Sequence, residues 1–487
     1  MWLRQERTGP AVVLIALLAG CAAIPRLPPQ PATLTPAGVA ANQSLAPARG
    51  EAVWPAGAWW QAYGDPQLDA LVAEGLAASP DVAAAVARLD RASALARQAG
   101  AARFPRLDVQ GGVQEERQSL NMGFPPEFKA ILPQGWNDGG QISASLGFDL
   151  DLWGRNRAAL AAATSQQKAA ALDLQQARLV LSVAIASAYF DLDRLFAERA
   201  IRAEQVAAAE KSSQLVEQRR SSGLETAATT AQARAAQAAA RVALSQADES
   251  LALRQHQIAA LVGAGPDRGA ALARPALAAV AVRDVPADAT TELLSRRPDV
   301  IAARERVAAG TSNLKVARAD FFPAIRLSAL IGFQALGLES LFAQDSQYGQ
   351  VGPAVSLPIF HGGELAGRYR GARADLDAAV ANYNGTVLGA YREAADAVAA
   401  ARLADQRVSE ARAAVAANDE AYRTISARYR AELVTYLDVL QVEDRLLAAR
   451  LALAGVESGA RATDLALVRA LGGGFAAGAG VDASNAQ

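Results

Sequence analysis

Cys21 is the single cysteine of a chain of 487 residues, and only two histidines, His256 and His361, accompany it. A lone thiol cannot close an internal disulfide, and so few imidazoles leave little for a transition-metal site. The surroundings of Cys21 point to a different chemistry. Arg4 and Arg7 precede the apolar run Ala11–Leu18, which is too short to span a bilayer, and Leu18-Ala19-Gly20-Cys21 resembles a bacterial lipobox. In such a motif the thiol takes a diacylglycerol, cleavage makes Cys21 the first residue, and its new amino group takes a further acyl chain. Residues 1–20 are therefore expected to be a lipoprotein signal peptide. The acyl chains on Cys21 are the only prosthetic groups expected; a chance cysteine ending an ordinary secretory signal is the alternative. Ala22, where an aspartate would favour retention, is consistent with sorting to the outer membrane.

Other reactive side chains offer little for catalysis. His256 sits mid-helix in Arg254-Gln-His-Gln257, and His361 lies in Phe360-His361-Gly362-Gly363, where the glycines read as a turn. No Gly-x-Ser-x-Gly elbow and no Gly-x-x-x-x-Gly-Lys phosphate loop occurs, so the chain is not expected to be an enzyme. Formal net charge is −1, and after removal of Arg4, Glu6 and Arg7 it becomes 46 minus 48, or −2. Nucleic acid is a poor partner for such a chain, because neutralising phosphates needs a basic excess.

The elements that would position any site come in two similar sets. Ser79-Pro80-Asp81-Val82 and Phe104-Pro105 reappear as Arg297-Pro298-Asp299-Val300 and Phe322-Pro323, each displaced by 218 positions (297 minus 79, 322 minus 104). Gly223-Leu224-Glu225-Thr226 answers Glu432-Leu433-Val434-Thr435 at 209 positions (432 minus 223). The spacing predicts two equivalent halves. Proline-free helices are expected over about 156–218 and 364–429, each about 100 Å long at 1.5 Å per residue. Return helices follow over about 224–261 and 433–470. Leu433, Leu437, Leu440, Leu447 and Leu451 fall at coiled-coil spacing on the second of these. The expected organisation is a Pro-rich lipid-anchored tether at 21–60, a first repeat at 61–265, a linker at 266–287, a second repeat at 288–471 and a flexible tail at 472–487.

Four stretches switch to period two. Leu107, Val109, Gly111 and Val113 alternate with polar neighbours. So do Ile142, Ala144, Leu146, Phe148 and Leu150, then Ile325, Leu327, Ala329, Ile331 and Phe333, and finally Val351, Val355, Leu357 and Ile359. About ten residues of alternation suits a membrane-spanning strand, although it also fits a half-buried strand of a soluble sheet. Four strands cannot close a barrel, and open edges are not tolerated in hydrocarbon, so several copies would have to pool their strands. The opposite faces hold Ser143, Ser145, Gly147, Ser328, Gly332 and Ser356, which suits an aqueous lumen.

The duplicated Pro-Asp-Val helix starts, the two Phe-Pro strand starts, Trp153-Gly154 and the segment Leu433-Val-Thr-Tyr-Leu-Asp438-Val-Leu440 resemble the TolC-like outer-membrane efflux factors. The similarity is greatest to their lipoprotein (NodT-type) branch serving RND pumps, which Trp59-Trp60 and Tyr63-Gly64-Asp65-Pro66-Gln67-Leu68 also resemble. It covers about residues 54–471. The resemblance implies an internally duplicated α+β membrane protein: a homotrimer with four strands per chain in a twelve-stranded β-barrel, continuing into a long α-helical barrel. It further implies a periplasmic adaptor and an inner-membrane RND transporter as partners, with outer-membrane lipid around the barrel. In that family the tube closes where the helices reverse. Asp438 matches a family aspartate whose three copies would form a carboxylate ring, and Tyr429 matches a position used in closure. Gln441 stands where some members carry a second acid, with Asp444 a possible substitute. Gly223-Leu224 keeps the family's Gly-Leu pattern at the adaptor-contact turns. Glu432-Leu433 departs from it, and a different turn shape is expected there. Read without the resemblance, Asp438 is a solvated helix-face acid near a turn. The alternative functions are a type I secretion duct and a lipid-anchored periplasmic coiled-coil scaffold.

Overall fold

The computed structural model describes residues 24–47, 52–121, 123, 125–128, 130–278 and 282–476. Cys21 and the expected signal peptide lie outside the described residues. Helices α1 (Pro66–Ala78) and α2 (Pro80–Ala101) lead into strands β1 (Arg106–Glu116) and β2 (Asn137–Asp149). The long α3 (Arg155–Ser221) and its return α4 (Ala227–Leu261) follow, then the short α5 (Pro266–Ala270) and α6 (Ala289–Arg296). The same plan recurs as α7 (Pro298–Ala319), β3 (Ala324–Leu336), β4 (Gln347–Ser356), α8 (Glu364–Arg430) and α9 (Tyr436–Ala470). Lengths recur as well: α2 and α7 have 22 residues each, α3 and α8 have 67, and α4 and α9 have 35. Alanine-rich, proline-free sequence is what lets a helix run 67 residues without a break.

The chain divides into two compact units. One holds the strands with the adjoining helix ends (90–168 and 305–381). Its sheet is antiparallel in the order β1-β2-β3-β4, which leaves one edge of β1 and one of β4 unpaired within the chain. Register puts side chains of one kind in rows across all four strands. Leu107, Leu146, Ala329 and Val351 are cross-strand neighbours, as are Val109, Ala144, Ile331 and Gly349. The intervening rows are Asp108, Ser145, Leu330 and Gln350, then Gln110, Ser143, Gly332 and Tyr348. One sheet face is thus mainly apolar and the other mainly small and polar, with Leu330, Leu336 and Tyr348 the larger residues on it. The apolar face is open, with Val109 and Ile331 each 68% exposed. Strand β4 starts four residues before the expected alternation and ends at Ser356, so Leu357 and Ile359 lie beyond it.

The other unit (33–89, 169–304 and 382–487) holds the main apolar core, where Trp59, Tyr63, Leu68, Leu71, Ile185, Tyr189 and Phe190 are buried together. Two buried carboxylates organise it. The Tyr63 hydroxyl donates to Asp464 Oδ2 at 2.7 Å, and the Arg283 amide donates to Asp464 Oδ1 at 2.9 Å. Asp65 caps α1 through the Gln67 amide and also accepts from Tyr189 (2.7 Å) and the Ala276 amide (2.7 Å). Burial, reinforced by these acids, pushes both phenols well above their ordinary range. In the sequence the Trp59–Leu68 segment was only a point of resemblance; here it is the plug of the core.

Two expectations need correction in this unit. Part of the expected tether is docked: Ala41 and Leu45 are buried, Asn384 accepts from the Leu34 amide at 2.8 Å, and Arg402 donates to the Ala46 carbonyl at 2.7 Å. The expected flexible tail also begins as packed structure. Gly472, Gly473 and Gly474 all have positive φ, and a Cβ on them would collide with the Arg296 carbonyl, Leu179 and the Ala56 carbonyl. Phe475 then packs beside Leu172 and Ile301. Apolar residues spaced among prolines and glycines found partners that composition alone does not register. The expected linker likewise contains α5, whose Arg268 pairs with Glu74 at 2.9 Å.

Candidate functional site

The two helix reversals bring together the residues singled out in the sequence. Helix α3 ends at Ser221, Gly223 adopts φ 76°, and the Leu224 amide donates back to the Arg219 carbonyl at 2.8 Å. This closes orphan carbonyls with a left-handed residue past the helix end. Thr226 then caps α4 by accepting from the Thr229 amide at 3.2 Å. The second reversal repeats every step. Glu432 adopts φ 63°, the Leu433 amide donates to the Arg428 carbonyl at 3.0 Å, and Thr435 caps α9. The expected change of shape at Glu432 does not occur. The turn's hydrogen bonds hold a non-glycine residue in the left-handed region, the only such residue among those described.

Asp438 occupies the third position of α9 and completes a capping box. The Thr435 amide and hydroxyl donate to Asp438 Oδ2 at 2.8 and 2.7 Å, and the Asp438 amide donates to Thr435 Oγ1 at 3.4 Å. The Thr435 hydroxyl and then its amide hold the carboxyl below the usual aspartate range, so it stays ionised. Its counterpart Thr229 makes a hydroxyl contact with Thr226 at 3.0 Å instead, so only the second reversal carries a negative charge at this position. Asp438 is half-buried, while Gln441 and Asp444, at steps of three along the same helix, are exposed. These three share one stripe of α9.

Tyr429 lies in a small cluster that ties the two reversals. Its ring is 6% exposed and lies 5.9 Å from the Tyr436 ring, with the Arg219 guanidinium 5.4 Å over it. Its hydroxyl donates to Glu225 Oε1 at 3.0 Å. Burial first, then Glu225, pushes this phenol up to about 12. Arg219 lies 3.5 Å from both Glu225 and Glu432. The sequence places Tyr429 and the turn residues but not Arg219, nor the bond that the Tyr429 hydroxyl donates to Glu225. The missing signal was faint: charged residues at both turns, with nothing to say that they meet across 204 positions. Outside this cluster the turns present Leu224, Leu433 and Leu437, which are 56%, 72% and 53% exposed.

No single helix among the described residues is long and apolar enough to cross a membrane. Among these residues no group of three metal-ligating side chains converges.

A sequence profile described as "Outer membrane efflux protein" matches residues 71–264 and again 289–473. The chain belongs to this family. It is a family of efflux channels rather than of enzymes, and it places the chain in the outer membrane. The fusaric acid resistance protein FusA of Burkholderia cepacia is 33% identical over 370 residues, covering 75% of this chain and 69% of that protein. The toluene efflux pump outer membrane protein TtgC of Pseudomonas putida is 31% identical over 425 residues, 86% of this chain and 85% of TtgC. Among solved structures, the outer membrane protein VceC from Vibrio cholerae is 40% identical with a TM-score of 0.80, covering 87% of this chain and all of VceC.

Proposed function

We propose that three copies of this chain form the passive exit duct of a tripartite efflux system. Four strands from each copy would make a twelve-stranded barrel, and the duplicated long and return helices would supply the wall of a helical tube in the periplasm. The supporting observation is the register. A mainly apolar face, a mainly small and polar face and two unpaired edges suit a sheet completed by other copies in hydrocarbon, with water on its inner side. Diacylglycerol and an N-acyl chain on Cys21 would anchor the terminus. A periplasmic adaptor would seat on the exposed leucines of the two turns, Gly223-Leu224 and Glu432-Leu433, and an inner-membrane RND transporter would drive transport. The chain itself performs no catalysis in this scheme.

Asp438 would set the gate, three ionised carboxylates crowding one axis, with Gln441 and Asp444 further along the same stripe. Its bonds to Thr435 give the same side chain a capping role, and two variants separate the roles. Asp438→Asn keeps an acceptor for the Thr435 amide but removes the charge; Asp438→Ala removes both. In planar bilayers the wild type is expected to show small, mostly closed channels, and both variants are expected to raise conductance. Conductance raised by Asp438→Ala but not by Asp438→Asn would assign the effect to the cap. A wild type that never conducts would overturn the duct.

A further inference from the structure

Just below the strands the wall has two chemically different faces. On one, Asp149 pairs with Arg326 at 2.7 Å and Arg155 with Asp320 at 2.8 Å. All four line a cavity of about 420 Å³ that also holds the Arg368–Glu364 pair, at 2.5 Å. Asp149 and Arg326 continue the polar rows of the sheet, so this is the face of the proposed lumen, and its cations are matched by acids. Arg157 is two residues from Arg155, and Arg318 two from Asp320. Two residues turn a helix by about 200°, so Arg157 emerges on the side opposite Arg155, below the apolar sheet face, and Arg318 on the last turn of α7 lines the same groove.

There a groove of about 550 Å³ is lined by Trp153, Arg157, Ser312, Lys315, Arg318 and Phe322. Trp153 and Phe322 stack with centroids 4.8 Å apart, and the Trp153 indole donates to the Pro323 carbonyl at 2.7 Å. Arg157 is partly neutralised by Asp151 at 3.2 Å. Lys315 and Arg318 are exposed, and neither is held in an ion pair among the described residues. Aromatic rings at this depth mark the level where membrane headgroups begin.

We propose that this groove seats the headgroup of an anionic phospholipid from the leaflet adjoining the periplasm. Lys315, Arg318 and Arg157 would hold the phosphate, the stacked rings would pack the glycerol region, and the acyl chains would lie along the apolar sheet face. The argument rests on the membrane-facing reading of that sheet face and adds a charge preference to it. A zwitterionic lipid brings its own cation and would gain less from the unmatched charge of Lys315 and Arg318.

The test uses purified full-length protein equilibrated with a mixture of phosphatidylglycerol and phosphatidylcholine, the retained lipids being counted by native mass spectrometry. Wild type is expected to retain phosphatidylglycerol in excess. Lys315→Gln with Arg318→Gln should lower that excess by about fivefold for each cation removed. Arg368→Gln, on the opposite face, should leave it unchanged. An unchanged ratio in the double variant, or an equal fall in Arg368→Gln, would overturn the proposal. So would displacement of the lipid by excess inorganic phosphate, which would make the groove a small-anion site. Conductance measured on the same samples reports the duct separately.

Discussion

Replacing Tyr429 by phenylalanine removes one oxygen and leaves the rest of the cluster in place. The ring still meets Tyr436 at 5.9 Å and still lies under the Arg219 guanidinium. What disappears is the hydroxyl bond to Glu225 at 3.0 Å. A hydrogen bond to a charged partner contributes about 1.5–3 kcal/mol. Arg219 remains 3.5 Å from Glu225, so the acid keeps a partner and the loss falls at the low end, about 1.5 kcal/mol. That is about a tenfold rise in the constant for local opening of the reversals. Hydrogen exchange at amides 219–226 and 429–436 measures it directly, and open probability in a bilayer should rise by no more than the same factor. The pH dependence gives an independent check. A released phenol loses its proton near 10 and the tied one near 12, so the folded value is raised. The tie therefore contributes fully below pH 10 and is lost as pH climbs from 10 to 12. Protection in the wild type, taken relative to the base-catalysed intrinsic exchange rate, should fall more steeply across that window than in Tyr429→Phe. Equal exchange in the two proteins at neutral pH would refute the assignment of the bond as a tie between the turns.

Glu432→Gly removes a left-handed non-glycine residue, a relief of about 1–2 kcal/mol, against about 0.4–1 kcal/mol of extra chain entropy when unfolded. The lost contact with Arg219 is 60% exposed on the glutamate side and counts for little. Exchange at residues 431–436 should slow by up to about fifteenfold, and faster exchange would contradict the strain argument. Ile331→Arg, on the apolar face, should cost about 2–4 kcal/mol in a bilayer and suppress heat-resistant oligomers, whereas Gln350→Arg on the polar face should assemble normally. Equal tolerance of both would argue against lipid on that face. Cys21→Ser should abolish incorporation of labelled palmitate, and label that persists would place the acyl chains on another residue.

Much of the element plan could be read from periodicity, because helix length and strand alternation depend on neighbours along the chain. Proline-free alanine-rich stretches marked α3 and α8 to within three residues. The recurring order of elements was legible for the same reason: like segments at offsets of 218 and 209 positions. Glu432 shows the boundary of such reading. Residue type argued for an altered turn, yet the backbone bonds to Arg428 and Tyr429 were strong enough to impose the glycine-like conformation. Chemistry between distant residues belonged to the tertiary structure alone. No local pattern says that Tyr429 meets Glu225, that Tyr63 seeks Asp464, or that Phe475 returns to the core beside Leu172. Register was decided there too, because a one-residue slip would have exchanged the apolar and polar faces without changing either strand's own alternation. The sequence thus determined which segments are helix and strand and that they come in two sets. Only the packed chain decided which charges are matched, which are left facing outward and which turns are tied, because those depend on contacts closed across hundreds of residues.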